Sequence, residues 1–182
     1  MIPEKVLPIT NGFLRPLRLE DLHQDYIDGL NNPAVNRYLE VRRVKQTVES
    51  VRSFIKHNID SSDGVLWGIW KNSSRHHVGT VRIHGINENL RYGDIGICIF
   101  CQSAWGQGTG SDAIKAATQW AFAELKLYSI EAHAYLDNAA SIRTFLKSGY
   151  TRLQDRVKNV SGESGLIRHA FLRAESENIL EN

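Results

Sequence analysis

Hydrophobic residues follow a helical period at the start of the chain. Leu22, Tyr26 and Leu30 recur every four residues and predict a helix that ends at the Asn31–Asn32–Pro33 cluster. A second helix is predicted to begin near Thr47, which is a suitable cap. Its apolar stripe consists of Val48, Val51, Phe54, Ile55 and Ile59.

The pattern then changes to strand-like runs. An alternating segment at 13–18 precedes the first helix, and three further runs lie at 65–70, 77–86 and 92–100, separated by short polar turns. The second half of the chain predicts a helix at 112–125, a strand at 129–136, a helix at 138–147 and two closing strands at 150–158 and 166–172.

This order predicts one α/β (α+β) domain, a mixed and mostly antiparallel sheet of about seven strands flanked by about four helices. We assign residues 1–173 to that domain and residues 174–182 to a polar C-terminal tail. A chain of 182 residues with 42% hydrophobic composition is long enough for one substantial core and short for two.

Charge and targeting signals restrict the function classes. Twenty-two basic and twenty acidic residues give a net charge of +2, with no block of like charge, so we expect no nucleic-acid partner. The N-terminal MIPEKVLPITNGFL lacks the apolar run of a signal peptide, and no later segment reaches membrane-spanning length. We therefore expect a cytoplasmic protein without a membrane partner.

Cys98 and Cys101 are the only cysteines, and their spacing is CxxC. If both lie on the strand that GDIGICIF predicts, they point to opposite faces, which suits neither a disulfide nor a shared metal ion. A zinc ribbon would need a second pair of ligands. We expect reduced cysteines that pack, with a redox pair as the alternative, and no metal.

The stretch WGQGTG places glycines at 106, 108 and 110 directly before a helix. Such a loop turns sharply and gathers backbone N–H groups at the positive end of the helix dipole, which favours a phosphate-bearing ligand. A plain strand-to-helix turn is the alternative. No Lys follows the last glycine, as a P-loop requires, and the glycine spacing and the position of Glu131 do not suit a dinucleotide-binding fold.

The segment WGQGTGSDAIKAATQWAF, followed by a strand and then NAASIRTFLKSGY, resembles the acyl-CoA-binding half of the GNAT superfamily of N-acetyltransferases. It is most similar to the ribosomal-protein N-terminal acetyltransferase branch, whose loop often carries Trp-Gly-x-Gly and whose next helix opens with Asn-x-x-Ser. The resemblance implies a GNAT-like acyl-CoA N-acyltransferase fold. It also implies direct transfer of acetyl from acetyl-CoA to a primary amine in a ternary complex.

The resemblance assigns roles to particular residues. Asn138 and Arg143 are expected to contact CoA, Ser141 to donate toward its sulfur, and Asp94 to deprotonate the amine, with His84 and His133 as further candidate bases. The remaining cofactor-binding positions are Ile99, Phe100, Trp105, Gly106, Gln107, Gly108, Thr109, Gly110 and Ser111.

Two positions depart from the family pattern. Trp105 replaces an Arg or Gln that commonly donates to the pyrophosphate, and Phe145 replaces a Tyr that commonly acts as the acid. Asn138 also suits a helix cap and Asp94 also suits a strand-end turn.

The acceptor remains open at this level. Tyr38 and Glu40, in the connector between the first two helices, are candidate substrate-binding residues. An amino sugar, a small amine such as a polyamine, or a protein N-terminus would each supply a primary amine, and a homodimer is the candidate assembly. The alternative function is a CoA-binding regulatory module without catalysis.

Overall fold

The computed structural model describes residues 5–74, 76–159 and 166–176. Helices in this part of the chain are α1 (Gln24–Asn31), α2 (Pro33–Asn36), α3 (Val48–Asp60), α4 (Thr109–Glu124) and α5 (Ala139–Lys147), with 3-10 turns at Leu19–Asp21, Glu40–Arg43 and Gln102–Ala104. The strands are β1 (Leu7–Ile9), β2 (Gly12–Pro16), β3 (Val65–Lys71), β4 (His77–Asn87), β5 (Tyr92–Ile99), β6 (Ser129–Tyr135), β7 (Thr151–Arg152), β8 (Arg156–Asn159) and β9 (Leu166–Glu175).

These strands form one sheet in the order β1-β2-β3-β4-β5-β6-β9-β7, with β8 also paired to β9. Every pairing is antiparallel except that of β5 with β6. The predicted mixed, mostly antiparallel sheet is therefore confirmed.

The strand count differs from the prediction in two places. A hairpin joins β1 to β2 through Thr10 and Asn11, and β1 is only three residues long, too short for a periodic signal. The run predicted at 150–158 is split into β7 and β8, which pair with β9 in registers that differ by one residue. A bulge at 153–155 accounts for this shift.

Helix boundaries also differ slightly from the predictions. The segment LEDLHQDYIDGL forms a 3-10 turn followed by α1, because the side chain of His23 accepts a hydrogen bond from the Tyr26 amide and caps the helix there. Helix α4 begins at Thr109, three residues before the predicted start, with Gly108 as its cap. The N-terminal turn of α4 thus lies within the glycine loop.

The sheet carries a separate apolar cluster on each face. On one face α4 and α5 cover the sheet, and Trp67 meets Trp120 edge to face at 5.1 Å. On the other face α1 and α3 pack on Leu17, Leu66 and Phe100. Full burial of side chains of this size contributes about 1.5–3 kcal/mol each.

The ends of the described chain bear on two further expectations. Ala174 and Glu175 belong to β9, whereas residues 177–182 of the predicted tail lie outside the described residues. Among the helices described, none combines the length and apolar character needed to cross a membrane.

Candidate active site

Strands β5 and β6 separate soon after they begin. They pair only at Tyr92 with Ser129, Gly93 with Ile130 and Asp94 with Glu131. Beyond Asp94 the edge of β5 that faces β6 has no strand partner among the described residues, while β6 continues in register with β9. The splayed strands leave a cleft that opens toward the glycine loop, and backbone groups at an unpaired edge are available to an extended ligand.

The glycine loop presents a row of backbone donors at the open end of this cleft. No amide from Gly106 to Ser111 donates to another residue within the described part of the chain, and the first hydrogen bond of α4 runs from the Asp112 amide to the Gly108 carbonyl. Gly106 and Gly108 have φ values of +72° and +80°, which only glycine adopts readily. The unpartnered amides and the α4 dipole suit a pyrophosphate.

Side chains of the same loop form hydrogen bonds to other groups of the protein. The Trp105 indole N–H donates to the Ile99 carbonyl at 2.8 Å, and the Ser111 hydroxyl donates to the Gly108 carbonyl at 2.8 Å. The Gln107 amide donates to the Ser103 carbonyl at 2.6 Å, and its oxygen accepts from Lys71.

The hydroxyl of Thr109 is buried and has no hydrogen-bond partner in the part of the chain that the structure describes. Among the loop residues predicted to bind the cofactor, the groups available to a ligand are therefore backbone amides rather than side chains.

The start of α5 lies at the end of β6. Asn138 caps this helix, because its side-chain oxygen accepts from the Ser141 amide at 3.1 Å. Ser141 is partly buried and Arg143 is exposed. Phe145 is buried and packs edge to face on Tyr150 at 5.1 Å, so this position belongs to the core.

Two of the predicted cofactor-binding positions, Ile99 and Phe100, lie at the end of β5. Ile99 is the last residue of the strand, and its carbonyl is occupied by Trp105. Phe100 is buried against α1, with its ring 4.7 Å from Tyr26. Cys98 and Cys101 are both free thiols, and burial raises the pKa of Cys98 to about 12.

Asp94 lies where the strands separate, on the sheet face opposite α4. Its Oδ2 accepts a hydrogen bond from the Tyr92 hydroxyl at 2.6 Å, and its Oδ1 lies 3.7 Å from His133 Nε2. The hydrogen bond to Asp94 raises the pKa of Tyr92 to about 12. His84, the other candidate base, pairs in register with Asp94 on β4. The structure thus brings all three candidate bases to one place.

Glu131 completes this polar cluster and is held by two arginines. Arg173 donates to Glu131 at 2.6 Å, and Arg156 lies 3.7 Å from its second oxygen. Donor atoms of Asp94, Glu131 and His133 lie within 4.8 Å of one another, which resembles a metal site. The two guanidinium groups already balance the negative charge of Glu131. Asp94, Glu131 and His133 therefore attract a metal cation less strongly than three ligands without such neighbours would.

The connector between α1 and α3 meets the end of β6. The Tyr38 hydroxyl donates to the Asp137 carbonyl at 3.1 Å, and its ring lies 5.8 Å from Tyr135. Arg42 donates to the Tyr135 hydroxyl at 3.3 Å. Glu40 is exposed at the start of the 3-10 turn in this connector. The connector therefore borders the same sheet face as Asp94.

Sequence reasoning missed Tyr92, Glu131, Tyr135 and His169 as members of this region. Alternation along β6 places Glu131, His133 and Tyr135 on one face, and that signal was present in SIEAHAY. Neither the parallel pairing of β6 with β5 nor the approach of His169 to Tyr135, 4.6 Å between rings, follows from a local pattern.

Comparison with known proteins gives consistent matches. A family model described as the acetyltransferase (GNAT) domain matches residues 13–151. The uncharacterized N-acetyltransferase YoaA of Bacillus subtilis (strain 168) is 27% identical over 125 residues, 67% of this chain and 70% of the relative.

Two solved structures are similar in fold. One is the spermidine N-acetyltransferase of Vibrio cholerae in complex with CoA and spermine, with a TM-score of 0.77, 17% identity, and coverage of 89% of this chain and 94% of the other. The other is a GNAT-family acetyltransferase from Bacillus anthracis, with a TM-score of 0.79, 18% identity, and coverage of 94% and 98%.

Proposed function

The chain belongs to the GNAT family of acetyltransferases, which use acetyl-CoA, and on this basis we propose that it transfers acetyl directly to a primary amine in a ternary complex. The observation that carries this proposal is the row of unpartnered amides from Gly106 to Ser111 at the open end of the β5–β6 cleft. Those amides suit the CoA pyrophosphate, and the unpaired edge of β5 suits the pantetheine arm.

Backbone donors alone serve the pyrophosphate in this proposal. Trp105 and Gln107 hold the loop in shape through internal hydrogen bonds, and Ile99 and Phe100 mark the strand end beside the loop. Arg143, exposed on α5, is available to a CoA phosphate. When bound, acetyl-CoA supplies the reactive thioester.

Asp94 is the proposed base. An amine has a reference pKa of about 8 to 10 and must lose a proton before it attacks the carbonyl carbon. The Asp94 carboxylate is oriented by the Tyr92 hydroxyl, and it lies on the sheet face that the connector carrying Tyr38 and Glu40 borders.

Ser141 is the proposed donor to the departing sulfur. Asn138 fixes the first turn of α5 by capping the Ser141 amide and so holds the Ser141 side chain at the end of β6. Phe145 lacks a proton to donate and is buried, so the acid that many family members place there must come from another group.

The identity of the acceptor amine is also a proposal. The structural neighbour from Vibrio cholerae acts on spermidine, but at 17% identity it shows the shared fold alone. The Trp105–Gly106 motif favours the branch that acetylates protein N-termini, and an amino sugar also offers a primary amine. The assembly we propose is a homodimer.

Thiol release from acetyl-CoA in the presence of spermidine, glucosamine and a short peptide with N-terminal serine tests the proposal. We expect turnover with at least one amine, and losses of about 100-fold in kcat for Asp94→Asn and about tenfold for Ser141→Ala. Ser53→Ala, an exposed helix serine, is the matched control and should retain wild-type rates. CoA binding without turnover on any amine would instead indicate a regulatory module.

A further inference from the structure

Arg82 places a positive charge in the middle of the sheet. It lies on β4, where it pairs in register with Leu66 of β3 and Gly96 of β5. Its side chain is on the face opposite α4 and reaches α3, where the guanidinium carbon lies 5.6 Å from the centre of the Phe54 ring. Arg82 is half-buried, so its charge is partly withdrawn from water.

The Arg82 guanidinium has no anionic partner in the part of the chain that the structure describes. Its Nε is buried without a hydrogen bond to any described residue, and no described carboxylate forms an ion pair with it. Burial lowers the pKa of Arg82, and the charge of Asp63 offsets only part of that effect. The Asp63 carboxylate itself accepts a hydrogen bond from the Ser61 hydroxyl. The guanidinium therefore keeps donors that the anionic group of a ligand can occupy.

The space beside Arg82 is open. Gly96 lies next to Arg82 on the neighbouring strand, and a Cβ added to this glycine would meet no described atom within 4 Å. Gly96 is not among the glycines with positive φ in the described chain, so the backbone does not require glycine there. Glycine inside a strand is less stable than alanine and often marks a place where another group approaches closely. Arg82 therefore borders room for a ligand.

Two groups of opposite charge lie along this face of the sheet. Asp94 pairs in register with His84, and Arg82 is two residues before His84 on the same strand. Arg82 and Asp94 are therefore diagonal neighbours across β4 and β5, about 7–8 Å apart. An acceptor whose amine lies at Asp94 would bring to Arg82 a group that is several bonds away from its nitrogen.

We propose that Arg82 binds an anionic group of the acceptor and so selects an amine that also carries a carboxylate or a phosphate. This inference rests on the proposed acetyltransferase function and adds the chemical class of the acceptor. The planar guanidinium can donate two parallel hydrogen bonds to either anionic group. A polyamine is disfavoured, because its second ammonium group would lie beside the positive charge of Arg82.

Pairs of acceptors that differ in one anionic group test this selection. Glucosamine 6-phosphate is compared with glucosamine, and a short peptide that begins with serine and glutamate is compared with one that begins with serine and glutamine. We expect kcat/KM, measured by thiol release from acetyl-CoA, to be about 30-fold higher for the anionic member of at least one pair. A preference confined to the sugar pair identifies phosphate as the group that Arg82 binds, and one confined to the peptide pair identifies carboxylate.

Substitution of Arg82 separates recognition of the anion from packing on Phe54. Arg82→Met keeps an unbranched side chain but removes the charge, so the preference for the anionic acceptor should fall below about threefold. The kcat/KM for spermidine should rise about threefold in the same variant, because a like charge is removed. Arg82→Lys keeps the charge without the planar donors and should show an intermediate preference. Arg52→Met, at an exposed position on α3, is the matched control and should keep the wild-type values.

Several results would overturn the inference while the proposed function stands. Equal kcat/KM within both pairs for the wild type, or acetylation of spermidine but of neither anionic acceptor, would show that no anion is selected. Equal losses for both members of a pair in Arg82→Met would indicate a packing role alone.

The Kd for CoA, measured by calorimetry, should stay within about twofold of the wild-type value in each variant, and a larger increase would assign Arg82 to CoA instead. If Arg82→Met does not fold, the wild-type ratios and Arg82→Lys decide the matter. A wild-type protein that binds no CoA and acetylates no probe overturns both proposals.

Discussion

Acidification should destabilise this protein through one buried histidine. His77 is 2% exposed and packs against Trp70, Tyr26 and Phe100. His23 Nδ1 accepts from the Tyr26 amide, so its proton lies on Nε2 and is donated to His77 Nδ1 at 3.2 Å. A second proton on His77 would oppose this donor, and His77 is therefore neutral in the fold.

The sign and size of the effect follow from the His77 pKa. Burial, with a smaller contribution from His23, lowers the pKa from 6.5 to about 3. The nearby charges of Asp21 and Arg15 are paired with each other at 2.7 Å. Because the folded pKa is depressed, stability is complete above the unfolded value of 6.5 and falls as the pH decreases toward 3. The loss should be about 2 kcal/mol near pH 5.

Urea unfolding at about pH 7.5 and about pH 5 measures this loss. His77→Phe keeps an aromatic ring between Trp70 and Phe100 but cannot be protonated, so its decrease should be about 2 kcal/mol smaller than that of wild type. His57→Gln, at an exposed position on α3, should keep the wild-type decrease. Equal decreases in wild type and His77→Phe would refute the reasoning.

Three further substitutions test the loop and the core. Trp105→Phe removes the hydrogen bond to the Ile99 carbonyl, so the loop is no longer fixed to β5. The Kd for CoA, measured by calorimetry, should rise about fivefold, and an unchanged Kd would contradict this role of Trp105. Gly108→Ala, at φ +80°, should lower the free energy of unfolding by about 1 kcal/mol in urea, and full stability would show that the loop relaxes. Tyr150→Phe leaves the buried Thr118 hydroxyl without its partner at 2.8 Å and should cost about 1–2 kcal/mol while kcat stays the same; a fall in kcat would place Tyr150 in the reaction.

Much of the fold was accessible from periodicity. The four-residue spacing of Leu22, Tyr26 and Leu30 predicted a helix that the structure contains, apart from the start set by the His23 cap. The three runs from 65 to 100 are the meander β3, β4 and β5. Local patterns report these elements because each must bury one face.

Other features of the fold and site depended on contacts between distant residues. The hairpin of β1 with β2 and the bulge between β7 and β8 are set by pairing across strands rather than by a period. The core position of Phe145 on Tyr150 and the internal hydrogen bond of Trp105 likewise depend on three-dimensional packing.

The sequence by itself determined the element order, the glycine loop before α4 and the residue types that point to acyl-CoA chemistry, since these depend on neighbours along the chain. Only the tertiary structure decided where β5 and β6 separate, because their pairing joins residues far apart in sequence. That separation gathers Tyr92, Asp94 and His133 at one point and leaves Gly96 facing open space. A local pattern cannot contain such an arrangement, because it arises from the register of one strand on another.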